Sequence, residues 1–171
     1  MCWERNGVCR TAWCFFGVLA VCVITASYAN GQSVPGAWTA YGRGDYVAAA
    51  RQLEPLARRG NAAAQGRLGF MYANGLGVPQ DFEIAVNLYL RAAEQGDATA
   101  QYLLGLTYDK GQGVGRNEVF AYKWLNLAAA RAPKREREHY MLLRDAVASK
   151  MTRAEVAEAQ SLAVEWIVGR R

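Results

Sequence analysis

Residues 60–95 read GNAAAQGRLGFMYANGLGVPQDFEIAVNLYLRAAEQ, and residues 96–131 read GDATAQYLLGLTYDKGQGVGRNEVFAYKWLNLAAAR. The two stretches align without a gap, so the chain repeats itself after 36 residues. A period of about 20 to 50 residues is typical of solenoids, whose units bury their apolar faces by stacking on one another. The sequence therefore favours a repeat protein that serves as a binding scaffold.

Each repeat is expected to form two helices joined by a glycine-rich turn. Asp81 and Asn117 are good N-cap residues for the second helices. Gly69 and Gly105 fall within the first helices, where glycine costs about 1 kcal/mol relative to alanine, which indicates contact with a neighbouring backbone. The predicted helices span 62–73, 82–95, 98–109 and 118–131.

Three further helices are predicted outside the two repeats, over 45–59, 134–149 and 153–167. Pro55 is expected to kink or loosen the first of them. Thr152 and Glu155 form a capping box that opens the last. Because no stretch of useful length alternates as a β-strand does, we predict an all-α fold, a right-handed α/α superhelix of about seven helices.

The first 29 residues have the pattern of a secretory signal peptide. Basic residues precede an apolar run over about 12–26, and Ser27-Tyr28-Ala29 places small residues at the −3 and −1 positions of a cleavage site. Cleavage is expected after Ala29, with release into the periplasm or outside the cell. The alternative is an N-terminal membrane anchor, and membrane contact is expected only through this leader, if it stays uncleaved.

The sequence outside the leader offers few residue types that could act as a covalent nucleophile or general base or bind a metal ion. All four cysteines lie in the leader, and His139 is the only histidine, which is more typical of a surface or packing residue than of a general base. Net charge is +5, but positive and negative residues alternate, as in KRERE at 134–138, which indicates a solvated helix face. We expect no metal, no cofactor and no nucleic-acid partner.

The pattern A-x-A-Q-x-x-L-G-x-x-Y-x-x-G-x-G-V, found at 62–78 and again at 98–114, resembles the Sel-1-like repeat, a relative of the tetratricopeptide repeat. The resemblance covers about residues 45–167, and the C-terminal end resembles the cap of small exported bacterial members. It implies an α/α solenoid that mediates protein–protein contacts. Some exported relatives with cysteine-paired repeats are linked to β-lactam binding or hydrolysis, which is not carried over because these repeats lack cysteine.

The predicted domain organisation has three parts. A signal peptide (1–29) is followed by a flexible lead-in rich in Gly, Ser and Pro (30–44) and by a repeat domain (45–167). The repeat domain is divided into a half repeat (45–60), full repeats (60–95 and 96–131) and a C-terminal capping helix pair (133–167).

The first helix of each repeat has two distinct faces. Ala64, Gln65, Leu68 and Tyr72 share the face expected to form the core, with the glutamine as a structural hydrogen-bonding residue. The opposite face carries unexpected apolar residues, which in tetratricopeptide-like stacking would line a concave groove. The alternative is that adjoining helices or the lead-in cover them. The predicted partner-binding groove consists of three apolar residues and three polar residues at its edge: Phe70, Tyr102, Leu106, Asn74, Asp109 and Lys110.

Taken together, these patterns predict an exported, non-enzymatic scaffold that binds another protein or a peptide in the bacterial cell envelope. The competing hypothesis is an envelope enzyme acting on peptidoglycan or a β-lactam. This hypothesis is disfavoured because the sequence shows no cluster of polar residues of the kind that forms an active site. A third possibility is a structural adaptor without a groove ligand.

Overall fold

The computed structural model describes residues 35–169, so the predicted signal peptide lies outside the described residues. This part of the chain is all-α, without a strand, and none of its helices combines the length and apolar character that a membrane span requires. Each helix packs on the next from α1 to α7, and α8 packs on α6. The helices are α1 (Pro35–Gly42), α2 (Tyr46–Arg58), α3 (Ala62–Asn74), α4 (Phe82–Glu94), α5 (Ala98–Lys110), α6 (Glu118–Arg131), α7 (Lys134–Ala148) and α8 (Arg153–Val168).

Helix α1 corrects the prediction of a flexible lead-in over 30–44, of which residues 30–34 lie outside the described residues. Ala37 is fully buried, and Trp38 and Tyr41 pack against the core that α2 and α3 form. The glycine- and proline-rich composition indicated a loop, but the apolar residues at these spacings share one helix face and gain stability by burial. The additional helix raises the number from the predicted seven to eight within residues 35–169.

The predicted helix starts are confirmed by their capping contacts. Asp81 and Asn117 each accept a hydrogen bond of 2.9 Å from the backbone N–H three residues later, and so satisfy one of the free donors of the first turn. Thr152 and Glu155 form the predicted capping box at the start of α8. Pro55 lies inside α2, which continues to Arg58.

The core runs across the helices of successive units, and the first helices contribute to it the face that the sequence predicts. Ala64 and Leu68 of α3 are buried, and Leu104 of α5 has no exposed surface. Tyr72 is half-buried at the edge of this core.

Two glutamines join the successive units through buried hydrogen bonds. The Gln65 Nε2 donates to the Ala57 carbonyl oxygen at 2.9 Å, and the Gln101 Nε2 donates to the Ala93 carbonyl oxygen at 3.1 Å. Each bond ties the first helix of a repeat to the end of the preceding helix. The Gln65 Oε1 also accepts from Gln95 Nε2 at 2.8 Å. The predicted structural role of the repeated glutamine is therefore confirmed.

The glycines within α3 and α5 allow the paired helices of each repeat to approach closely. A Cβ atom at Gly69 would lie 2.9 Å from the Tyr89 ring and 3.2 Å from the Ala85 carbonyl oxygen of α4. At Gly105 a Cβ atom would lie 3.1 Å from the Ala121 carbonyl oxygen of α6. Contact with a neighbouring backbone, which the sequence predicts for both glycines, is confirmed.

The second glycine of each turn packs against the preceding unit. Gly77 and Gly113 have φ angles of 69° and 70°, in the left-handed region that favours glycine. A Cβ atom would lie 2.5 Å from the Tyr46 carbonyl oxygen at Gly77 and 2.8 Å from the Glu83 nitrogen at Gly113. Both contacts reach the start of the second helix of the preceding unit, so these glycines connect neighbouring units.

Candidate functional site

A cavity of about 370 Å³ opens between α1, α3 and α5, the first helices of three successive units. We call it the first-helix cavity. Its lining is mostly apolar and contains one cationic and one anionic side chain. The lining residues are Trp38, Ala63, Gly66, Arg67, Phe70, Asp97, Thr99, Tyr102 and Leu103.

Arg67 contributes the positive charge of this lining. Its Cζ atom lies 5.0 Å from the ring centroid of Trp38 and 4.6 Å from that of Tyr41, so the guanidinium makes cation–π contacts with both rings. Within residues 35–169 no carboxylate forms an ion pair with Arg67. The side chain is exposed, and its charge faces solvent at the cavity.

Phe70 lies on the same helix, one turn further along. The residue is half-buried and packs against the core cluster that includes Leu104. Asn74 follows one turn later, and its Nδ2 donates to the Phe70 carbonyl oxygen at 2.7 Å. Phe70 therefore combines a fixed position in the fold with a ring that lines the cavity.

Tyr102 belongs both to the cavity and to the packing between α5 and α7. Its ring stacks on that of Tyr140, with centroids 4.4 Å apart and planes 12° from parallel. The Tyr102 hydroxyl lies 3.4 Å from His139 Nε2, and burial raises the pKa of this phenol. Burial, and then the Glu136 carboxylate, raise the pKa of Tyr140 to about 12. A neighbouring helix thus covers part of Tyr102.

The remaining predicted groove residues lie outside the lining of the first-helix cavity. Leu106 is half-buried and Lys110 is exposed. The Asp109 Oδ1 accepts a hydrogen bond of 2.7 Å from Lys150 Nζ in an ion pair that joins the end of α5 to the turn after α7. Of the six predicted residues, the structure brings Phe70 and Tyr102 into one cavity.

Sequence reasoning missed Trp38, Arg67 and Leu103. Trp38 was missed because its segment was predicted to be flexible. Arg67 and Leu103 occupy equivalent positions in the two repeats, so the first repeat has a cationic residue where the second has an apolar one. This difference could have identified Arg67 as a candidate site residue, because a position that only packs against a neighbouring unit rarely carries an unpaired charge.

The chemistry of the lining suits binding. It offers aromatic faces, aliphatic surface and one guanidinium without an acidic partner. His139 lies on α7 with its ring 5.8 Å from that of Tyr102. Among residues 35–169, no three His, Cys, Asp or Glu side chains are grouped as a metal site would need.

The model of the Sel1 repeat matches residues 62–97 and 98–132. The chain contains two Sel1 repeats. The matched segments correspond to the helix pairs α3–α4 and α5–α6. Sel1 repeats generally mediate protein–protein interactions, and proteins built from them are typically non-enzymatic scaffolds.

Solved structures share this fold. The Sel1-repeat chain is similar to c5321, described as a protective antigen present in uropathogenic Escherichia coli strains displaying an SLR fold, with a TM-score of 0.71 and 27% identity over 77% of this chain. It is also similar to a Sel1 repeat protein from Oxalobacter formigenes, with a TM-score of 0.53 and 43% identity over 56% of this chain.

These comparisons confirm the predicted fold class, an all-α Sel1-type solenoid. The chain spans 28% of the length of the first solved structure and 39% of the second. No curated protein matches the chain.

Proposed function

We propose that this Sel1-repeat chain is a non-enzymatic scaffold that binds an extended segment of a partner protein in the first-helix cavity. The observation that supports the proposal is the cavity itself, which three successive units build together and line with aromatic and aliphatic side chains. Partly exposed aromatic residues held by a packed core are the typical anchors of protein interfaces. Phe70 is such a residue.

The size of the cavity is consistent with a peptide segment. Its volume of about 370 Å³ is at the lower end of the range of about 300–1,000 Å³ for ligand pockets. Such a space accepts a few side chains, and a partner segment that crosses α1, α3 and α5 would contact several units at once.

We also propose that the chain acts in the bacterial cell envelope, in the periplasm or outside the cell. The support is the leader, with its basic start, its apolar run and the small residues Ser27 and Ala29. N-terminal sequencing of the protein from the producing bacterium tests this proposal. We expect a first residue of Asn30, whereas an intact Met1 in the membrane fraction would favour the anchored alternative.

Site-specific photo-crosslinking tests the binding site. p-Benzoylphenylalanine replaces Phe70 in one variant and, as the matched control, Phe120 in another. Phe120 is also a partly exposed phenylalanine (37% exposed), but it lies on α6 outside the cavity lining. In envelope extracts we expect a discrete cross-linked partner at position 70 and little at position 120. Equal cross-linking at both positions, or cross-linking only at position 120, would contradict the proposed site.

A further inference from the structure

Arg67 gives the first-helix cavity a specific chemical preference. The lining contains one other charged residue, Asp97, whose Oδ1 accepts a 2.7 Å hydrogen bond from the Ala100 N–H as the N-cap of α5. The Asp97 carboxylate is thus held at a helix N-terminus, where its negative charge is stabilised by the helix dipole. In contrast, no carboxylate within residues 35–169 forms an ion pair with Arg67.

The contacts of Arg67 leave its hydrogen-bond donors available. The described contacts of the guanidinium are with the rings of Trp38 and Tyr41, and no carbonyl or carboxylate oxygen within residues 35–169 accepts a hydrogen bond from its five coplanar N–H donors. A carboxylate binds such a planar fork through two parallel hydrogen bonds. A bound segment that covers this pair would exclude water from it and so strengthen it.

We propose that the partner segment carries an aspartate or glutamate next to an apolar residue. This inference rests on the proposed function. The acidic side chain pairs with Arg67, and the apolar residue packs on Phe70 and Leu103, which line the same cavity. The acidic group belongs to an internal residue, because the lining extends onto helices on both sides of α3 and a segment can pass across it.

Selection of displayed peptides tests the proposal without a known partner. Random dodecapeptides on phage are selected on the immobilised full chain, and one selected sequence is then synthesised with an amidated C-terminus. Arg67→Glu is compared with Arg51→Glu, which changes the net charge equally at an exposed position of α2 outside the cavity. Circular dichroism of both variants verifies folding.

We expect the selected peptides to be enriched in Asp or Glu beside Leu, Phe or Val. Arg67→Glu should weaken binding of the amidated peptide at least about tenfold, while Arg51→Glu leaves it within about twofold. Replacing the acidic peptide residue by Asn should weaken binding to the unaltered chain by a similar factor, and this comparison holds even if Arg67→Glu does not fold. A Lys-containing peptide should bind Arg67→Glu better than the unaltered chain.

Two kinds of failure are distinguishable. Selected peptides without acidic enrichment, equal binding by both arginine variants, or a requirement for a free C-terminal carboxylate would overturn the acidic-residue inference and leave the proposed function standing. Recovery of no peptide beyond those retained by an unrelated immobilised protein would count against the peptide-binding function and would overturn the inference with it.

Discussion

Alanine substitutions at two glycines of α3 should have opposite effects on stability. Gly66 and Gly69 lie three residues apart in the same helix, and both are buried. In a helix interior, alanine is favoured over glycine by about 1 kcal/mol. The two sites differ in the space that surrounds the new methyl group.

At Gly66 the nearest atom to the added methyl carbon would be the Cβ of Ala100, at 3.7 Å, which is an ordinary van der Waals contact. At Gly69 the Tyr89 ring would be 2.9 Å away and the Ala85 carbonyl oxygen 3.2 Å away. Tyr89 is 1% exposed and has little room to move. Overpacking of this kind typically costs about 1–3 kcal/mol, which offsets or exceeds the gain in helix propensity.

We therefore expect Gly66→Ala to raise the free energy of unfolding by up to about 1 kcal/mol and Gly69→Ala to lower it by up to about 2 kcal/mol. Urea denaturation followed by circular dichroism measures both values on the same scale. If Gly69→Ala proves as stable as Gly66→Ala, then α3 and α4 do not approach as closely as the structure indicates, and the reasoning is refuted.

Three other substitutions test the packing and the electrostatics. Leu104→Ala removes a fully buried side chain and should cost about 2–5 kcal/mol in urea denaturation; a loss below about 1 kcal/mol would contradict its core position. Tyr102→Ala removes the stack on Tyr140 and should lower the thermal midpoint; an unchanged midpoint would argue against the stack. Because the pKa of Tyr140 is raised to about 12, from about 10 in the unfolded chain, its contribution to stability is complete below pH 10 and is lost as the pH rises towards 12. Tyr140→Phe should reduce that loss in denaturation measured at pH 9 to 12, whereas an identical pH dependence would show that Tyr140 does not contribute to it.

Much of the fold could be predicted because it depends on local signals. Local backbone requirements explain the N-cap residues Asp81 and Asn117 and the glycines within the helices. The 36-residue period shows that these requirements recur in each repeat. Helix α1 escaped this reasoning, because its glycines and Pro35 are typical of loops. Its helical state depends on Ala37 and Trp38 packing against distant residues.

The candidate site was less predictable because it depends on how successive units stack. Helical periodicity placed Phe70 and Tyr102 on the face opposite the core, and both line the cavity. Periodicity within one helix could not reveal the contribution of Trp38 from α1. It also could not reveal that Asp109 pairs with Lys150, which lies on a different unit.

Binding in the first-helix cavity can be observed through the indole N–H resonances of tryptophan in the ¹⁵N-labelled full chain. Trp38 lines the cavity, whereas Trp124 of α6 is buried in the core and serves as the internal control. On titration with the phage-selected peptide, the Trp38 resonance should shift to saturation while the Trp124 resonance stays unchanged. Saturable binding that leaves the Trp38 resonance in place would contradict peptide recognition in this cavity.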